Sequence, residues 1–124
     1  MDEIKTHIHH IGFHHAWDGI KHAFINHPNF KIHSIISLIV LLLALILQIS
    51  NIQFTILVFA IVLGFIVEMV NTSIESVVDL VTEEWRQNAK IAKDVSAGAM
   101  LLAAIGTAIV GLIIFIPEIL KAFT

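Results

Sequence analysis

Residues 68–79 read EMVNTSIESVVD, and they follow the most apolar part of the chain, since residues 34–67 contain no Asp, Glu, Lys, Arg or His. Four polar side chains then occur at intervals of three or four residues: Glu68, Asn71, Glu75 and Asp79. This spacing places them along one face of a helix, here called the acidic stripe. Acids inside a membrane helix are costly and indicate a functional site. Alternatively, these acids lie at the solvent-exposed end of a helix and pair with lysines elsewhere.

The composition indicates a membrane protein. Of the 124 residues, 57% are hydrophobic, more than a soluble domain of this size can cover with polar faces. The net charge of −3 and the dispersed Lys and Arg argue against nucleic acid as a partner. The absence of cysteine excludes disulfides and thiolate metal sites. We expect one domain over residues 1–124, without a cleavable signal peptide, because residues 1–13 lack an apolar core.

Three apolar stretches predict three transmembrane helices, at about 30–49, 54–81 and 94–117. Before them, apolar side chains at helical spacing over about 12–26 predict an amphipathic helix on the bilayer surface, which ends before Pro28. Asp94 is expected to cap the third span and Pro117 to end it. Small residues along the third span favour close helix packing. The predicted fold class is therefore an all-α membrane protein with three spans and a surface helix.

The distribution of basic residues predicts the orientation in the membrane. The N-terminal segment holds Lys5, Lys21 and Lys31, and three basic residues lie between residues 82 and 93, whereas the 48–53 turn has none. Both basic segments are therefore expected in the cytoplasm, together with the acidic stripe. All eight histidines lie within the first 33 residues. His10 and His14 are spaced for a metal site, but solvated or interfacial side chains are the favoured interpretation.

The polar groups at the cytoplasmic end match the needs of phosphoryl transfer. Carboxylate and amide oxygens suit Mg²⁺, while lysine and arginine suit the phosphates of a nucleotide. A deeper carboxylate can accept the proton of an alcohol. The sequence has no glycine-rich phosphate loop, so neither a P-loop enzyme nor a protein-kinase fold is expected.

Two motifs resemble the prokaryotic diacylglycerol kinase family, which includes the undecaprenol kinases. They are EMVNTSIESVVD at 68–79 and AKDVSAGA at 92–99, and the runs AWDGIK at 16–21 and NFKIH at 29–33 are also similar. The resemblance covers about residues 12–117. It implies a homotrimer that transfers the γ-phosphate of ATP, bound with Mg²⁺, to a membrane lipid alcohol. Diacylglycerol and undecaprenol both remain open as that alcohol.

The resemblance also assigns roles by motif position. Glu68 becomes the general base for the lipid hydroxyl, and Glu75 a metal ligand. A larger set is assigned to the nucleotide site: Asn71, Glu75, Asp79, Glu84, Trp85, Arg86, Lys93, Asp94 and His15. The residues assigned to the lipid are Trp17, Lys21, Glu68 and Ser96. Where family members commonly carry a second metal-binding glutamate, this chain has His27, whose nitrogen suits Mg²⁺ less well than oxygen.

A second hypothesis is a non-enzymatic membrane protein, such as an ion or metal transporter subunit. The acidic stripe would be its pathway, and the histidines a loading site. Such a pathway needs polar groups throughout the bilayer. Between residues 38 and 67, the polar residues instead cluster at the turn that joins the first two spans: Gln48, Ser50, Asn51, Gln53 and Thr55. An ion pathway without polar groups at the bilayer centre is unfavourable, so the sequence favours a lipid kinase.

Overall fold

A computed structural model describes residues 12–124 of the chain. Four α-helices follow one another: α1 (Phe13–Asn26), α2 (Pro28–Ile46), α3 (Asn51–Val81) and α4 (Gln87–Ala122). The last three are long and apolar enough to cross a membrane, and the described residues form no strand. The predicted all-α class with three spans is confirmed. The predictions about His10 and the N-terminal segment concern residues outside the described range.

The break between α1 and α2 lies at His27, whose backbone is extended. Pro28 takes the first position of α2, where its missing N–H and fixed φ angle favour a helix start. Phe30 is buried, with its ring centroid 4.9 Å from that of Phe65 on α3 and 6.2 Å from that of Phe24 on α1. These aromatic contacts hold α1 against the bundle, while Trp17 remains exposed on the outer face.

The opposite end of the bundle is closed by a short turn and a small core. Ser50 begins α3 with a capping box, in which its hydroxyl accepts from Gln53 N–H and the Gln53 side chain accepts from Ser50 N–H. Beside it, Gln53 Nε2 donates to Glu118 Oε1 on α4 over 3.3 Å. The buried core here consists of Ala44, Leu57, Ile114 and Phe115. This end is therefore tied together, which leaves the acidic end as the open one.

The structure corrects two predictions about the third span. The helix α4 begins at Gln87, so Asp94 lies inside it and is not its N-cap. The alanines, lysines and glutamine after Arg86 are good helix formers and extend the helix to that point. Pro117 does not end α4, which continues to Ala122. A proline is tolerated inside a membrane helix when neighbouring groups satisfy the freed carbonyl.

The glycines of α4 make no close helix contact within the described part of one chain, so close packing at these positions stays a prediction for contacts between subunits. A Cβ atom added to Gly98, Gly106 or Gly111 would meet no atom of the described residues within 4 Å. Contact between α3 and α4 instead involves other groups. The Thr107 hydroxyl, for example, donates to the Ala60 carbonyl over 3.4 Å.

Candidate functional site

The acidic stripe runs from the interior of the bundle into water. Glu68 is 2% exposed and Asn71 is 9% exposed, whereas Glu75 is half-buried and Asp79 is exposed. This gradient arises because the last turns of α3 extend beyond its packing partners, as the exposure of Leu80 shows. A single helix face therefore presents a buried carboxylate at one end and a hydrated one at the other.

A chain of hydrogen bonds connects α4 to the middle of the stripe. The Ser96 hydroxyl, which is buried, donates to Asn71 Oδ1 over 2.7 Å. Asn71 Nδ2 donates to Glu75 Oε1 over 3.2 Å, one helical turn further on. An ionised carboxylate only accepts hydrogen bonds, so the Asn71 amide must turn its nitrogen to Glu75 and its oxygen to Ser96. The orientation of Glu75 is thus fixed through α4.

Glu68 carries an unsatisfied oxygen. Its Oε2 atom is buried and has no hydrogen-bond partner among residues 12–124. Buried polar atoms are nearly always paired, so each exception needs an explanation. A carboxylate oxygen held in this state is an acceptor available to the hydroxyl of a ligand. This is the position at which the resemblance implies a general base.

The exposed end of the stripe faces a groove of about 370 Å³, here called the cationic groove. It lies between the end of α3, the 82–86 connection and the first turns of α4, and its charged lining consists of Asp79, Glu83, Glu84, Arg86, Lys90, Lys93 and Asp94. Trp85 also lines it and is 79% exposed. From two helices and a loop, the groove thus gathers six of the nine residues assigned to the nucleotide: Asp79, Glu84, Trp85, Arg86, Lys93 and Asp94. Asn71 and Glu75 lie outside its lining, further along the stripe.

Each cation in the cationic groove is paired with a carboxylate. Lys93 Nζ lies 2.5 Å from Asp79 Oδ1, and Arg86 pairs with Glu84 over 3.0 Å. Lys90 pairs with Asp94, one helical turn away. All of these side chains are substantially exposed, so each pair contributes little to stability and can exchange its partner. The groove therefore holds cations that can turn to a phosphate.

The connection that forms one wall of the cationic groove is ordered by its own side chains. The Thr82 hydroxyl accepts a hydrogen bond from the Glu84 backbone N–H over 3.1 Å. The helix α4 then begins at Gln87, with Arg86 as its N-cap, so its N-terminal backbone N–H groups lie beside the groove. A helix N-terminus favours negative charge, which adds to the effect of the cations.

The α1 residues assigned to the site do not line the cationic groove. His15, Trp17 and Lys21 are exposed on α1, where Lys21 Nζ lies 6.0 Å from the centroid of the Trp17 ring. His27 is half-buried, with its ring centroid 6.1 Å from that of His22. Within the described part of the chain, no three His, Asp or Glu side chains are placed to hold a metal. The roles assigned to Glu75 and His27 as metal ligands stay predictions.

The sequence did not reveal the bond between Ser96 and Asn71. Ser96 occurs in a run of small residues, where it was assigned to the lipid by motif position alone. The expected burial of Asn71 could have indicated this bond, because a buried amide requires partners for both its oxygen and its nitrogen. The assignment of Ser96 to the lipid stays a prediction.

Comparison with known proteins identifies the family. A family model described as "Prokaryotic diacylglycerol kinase" matches residues 14–115. The chain belongs to the prokaryotic diacylglycerol kinase family. This confirms the resemblance based on the two motifs, because the match covers both motifs and all four helices in large part.

The relatives of this chain are named after two different lipid alcohols, diacylglycerol and undecaprenol. The chain is 41% identical to the diacylglycerol kinase of Synechocystis sp. over 90% of its own length and 64% of that protein's length. It is 36% identical to the undecaprenol kinase of Bacillus subtilis, covering 86% of this chain and 87% of that protein. It is 32% identical to the Escherichia coli diacylglycerol kinase, covering 73% and 74%. Together with the apolar helices, these relatives support a multi-pass bacterial membrane kinase rather than a non-enzymatic transporter subunit.

Proposed function

We propose that the protein transfers the γ-phosphate of ATP to the hydroxyl of a membrane lipid alcohol, diacylglycerol or undecaprenol. One observation carries this proposal: the acidic stripe joins a buried carboxylate oxygen on Glu68, which has no hydrogen-bond partner among residues 12–124, to an exposed groove of exchangeable cations. The first environment suits the hydroxyl of a lipid, and the second suits a triphosphate. Family membership and the names of the relatives agree with this function.

The cationic groove would hold the nucleotide. Lys93, Arg86 and Lys90 would leave their carboxylate partners for phosphate oxygens, and Trp85 offers an exposed ring for the base. Glu68 and Asp79 are about 16 Å apart along α3, given the rise of an α-helix. The nucleotide must therefore extend along the stripe to bring its terminal phosphate to the lipid hydroxyl.

The residues present fit a magnesium ion at Glu75. This carboxylate is half-buried, and Asn71 occupies only its Oε1 atom, which leaves the second oxygen for a cation. Mg²⁺ typically keeps several waters and is held by one or two carboxylates together with the substrate phosphates. Glu75 would hold it, with His27 as the second candidate. When bound, the ion neutralises the charge that develops on the transferred phosphoryl group.

The chemical step follows from Glu68. Its carboxylate accepts the proton of the lipid hydroxyl, and the lipid oxygen forms a bond to the γ-phosphorus of ATP. The bond between that phosphorus and the oxygen bridging to the β-phosphate breaks, which releases ADP and a lipid phosphate. The Ser96–Asn71–Glu75 chain of hydrogen bonds would hold Glu75 in position throughout.

Two further properties belong to the proposal. The proposal includes a site that faces the cytoplasm, where ATP is available. The basic residues near the start of α2 and between residues 82 and 93 support this orientation. The chain assembles as a homotrimer, which the family resemblance implies. Because the sequence lacks cysteine, single cysteines introduced at either end of a span can report both orientation and subunit contacts.

The test is a transfer assay with purified protein in lipid vesicles. Labelled ATP and Mg²⁺ are supplied with diacylglycerol or undecaprenol at equal surface fraction, and labelled lipid phosphate is extracted and counted. We expect transfer to at least one of the two lipids and its loss in Glu68→Gln. Absence of transfer to any lipid alcohol, or equal transfer by Glu68→Gln, would overturn the proposed function.

A further inference from the structure

The helix α1 presents two different faces. Its large apolar side chains Phe13, Trp17, Ile20 and Phe24 recur at helical spacing and form one stripe. Phe13 is 96% exposed and Trp17 is 57% exposed, so the described residues cover this stripe only in part. Exposed aromatic side chains on an amphipathic helix are typical of a helix that lies at the surface of a bilayer.

Another side of α1 carries histidines. His14, Asp18 and His22 follow one another at intervals of four residues, which places them along one side of the helix, here called the histidine face. Ala23, the buried residue of α1, comes nine residues after His14 and therefore lies about half a turn around the helix from it. The histidine face is thus turned away from the bundle, and its three side chains are exposed.

Asp18 balances the charge of α1 while the histidines are neutral. It is the only carboxylate of this helix, and Lys21 is the only lysine. Asp18 Oδ2 lies 3.1 Å from His14 Nε2, and Asp18 Oδ1 lies 3.9 Å from Lys21 Nζ. Because these side chains are largely exposed, the pairs contribute little to stability and can exchange. The helix therefore has one negative and one positive charge, and it gains a further positive charge with each histidine that becomes protonated, within about pH 5 to 8.

The neighbouring groups do not oppose this positive charge. On α1 itself they are His15 and Lys21, and α1 packs against α2 and α3. The titratable groups at the start of α2 are basic: His27, Lys31 and His33. The acids of α3 are Glu68, Glu75 and Asp79. Glu68 is buried, and the other two acids are bonded to Asn71 and Lys93 of α3 and α4. Protonation of the histidine face therefore makes this side of the molecule cationic.

We propose that the histidine face binds anionic phospholipid headgroups of the bilayer, and that this binding strengthens as the pH falls and His14 and His22 become charged. An amphipathic helix at the bilayer surface is buried by about 5–10 Å, so its polar side is level with the headgroups. A charged histidine donates hydrogen bonds from both ring nitrogens, which matches the oxygens of a phosphate. This inference goes beyond the proposed function and does not depend on it.

The test measures which lipids surround Trp17 in the full chain reconstituted into vesicles. Trp85→Phe leaves Trp17 as the only tryptophan. Two preparations contain the same mixture of phosphatidylcholine and phosphatidylglycerol, and bromine, which quenches tryptophan emission, is attached to the chains of one lipid or of the other. The ratio of the two quenching efficiencies gives the relative affinity of the surroundings of α1 for the anionic lipid. Phosphatidylglycerol keeps its negative charge throughout the pH range used, so a change with pH reports the protein.

We expect this relative affinity to rise at least about fivefold between about pH 8 and pH 5.5, because each basic side chain beside an anionic bilayer contributes about that factor. The double variant His14→Gln, His22→Gln should lose most of the rise. The control His33→Gln makes the same change at a half-buried histidine of α2 and should keep it. Asp18→Asn leaves Lys21 unopposed and should raise the affinity about fivefold at pH 8, a gain that a misfolded protein would not show.

A relative affinity that does not change with pH in the wild-type sequence on the Trp85→Phe background would overturn this proposal. An equal rise in the double glutamine variant, or an unchanged affinity in Asp18→Asn, would contradict it as well. An excess of inorganic phosphate at constant ionic strength should leave the ratio unchanged. Loss of the preference for phosphatidylglycerol in that sample would show a site for free phosphate and exclude the headgroup. None of these measurements requires lipid phosphorylation, so failure of the proposed function remains a separate result.

Discussion

Ser96 on α4 donates a hydrogen bond of 2.7 Å to Asn71 on α3, and both side chains are buried. The bond links two membrane helices beside the candidate catalytic carboxylate. Through Asn71 Nδ2 it also reaches Glu75 Oε1. The arrangement means that the packing of α4 determines where the metal-binding candidate points.

The change Ser96→Ala should impair both stability and activity. It leaves Asn71 Oδ1 buried without a donor, which costs about 1–3 kcal/mol. We expect a lower unfolding temperature in detergent, a lower kcat and a higher requirement for Mg²⁺. Ser96→Thr keeps a hydroxyl and should restore the Mg²⁺ requirement. The matched control is Ser73→Ala, because Ser73 is exposed and its hydroxyl donates within its own helix, to the Met69 carbonyl. A Ser96→Ala protein no more affected than this control would contradict the role of the bond.

Glu68→Gln should abolish activity while the fold becomes more stable. A general base typically contributes about 10²–10⁴-fold to the rate, and glutamine cannot accept the proton. A buried carboxylate with an oxygen that has no partner among the described residues is costly, so a neutral amide of the same shape removes part of that cost. The measurements are lipid phosphate formation and thermal unfolding of the same preparation. Asn71→Ala serves as the comparison, since this variant should lose both lipid kinase activity and thermal stability. A Glu68→Gln protein with normal turnover would exclude the proposed base.

The sequence predicted the stripe and the order of helices because both depend on local pattern. The intervals of the four polar residues define a helix face, and Pro28 defines a helix start without any tertiary information. The exposure of the stripe at its Asp79 end also followed from the length of the second span, which is longer than a bilayer crossing requires. These features would be recovered from any chain with the same spacing.

The remaining features depend on how α3 packs against α4. Ser96 and Asn71 are 25 residues apart, and nothing in the local sequence of either residue specifies the other. The unpartnered Glu68 oxygen is a consequence of burial by neighbouring helices. The glycines of α4 carry the pattern of close packing, yet among the described residues of one chain nothing packs against them. The start of α4 was misplaced because Asp94 is a good cap, yet the residues before it are good helix formers.

Lys93→Ala should weaken nucleotide binding specifically. Lys93 pairs with Asp79 at the exposed end of the stripe and lines the cationic groove. A charge-assisted hydrogen bond to phosphate contributes about 1.5–3 kcal/mol, so the KM for ATP should rise by roughly ten- to a hundredfold, with the KM for lipid unchanged. Lys93→Arg should retain part of the affinity. Lys121→Ala is the control, because this lysine of α4 pairs with Glu118 at the opposite end of the bundle. Similar ATP kinetics in the two alanine variants would remove Lys93 from the nucleotide site.

Glu75→Gln should raise the Mg²⁺ concentration needed for half-maximal activity, by at least about tenfold, as expected for the loss of a carboxylate ligand. The fold should remain intact because the glutamine carbonyl can still accept the bond from Asn71 Nδ2. The experiment is a Mg²⁺ titration of lipid phosphorylation at saturating ATP, with thermal unfolding measured in parallel. Glu118→Gln removes a carboxylate at the far end of the bundle and should leave the titration unchanged. An identical titration in Glu75→Gln would show that the ion is held elsewhere.

His27→Glu tests the candidate for the second metal ligand. If the His27 position contacts the ion, replacing nitrogen with carboxylate oxygen should lower the Mg²⁺ requirement by about tenfold, because Mg²⁺ prefers oxygen ligands. The ratio of activity with Mn²⁺ to activity with Mg²⁺ should in turn be higher for the native protein than for His27→Glu. The control is His22→Glu, since His22 lies 6.1 Å away between ring centroids and carries the same change of charge. A general electrostatic effect would shift both variants equally and would contradict a ligand role for His27. A shift confined to His27→Glu would place this junction between α1 and α2 at the metal.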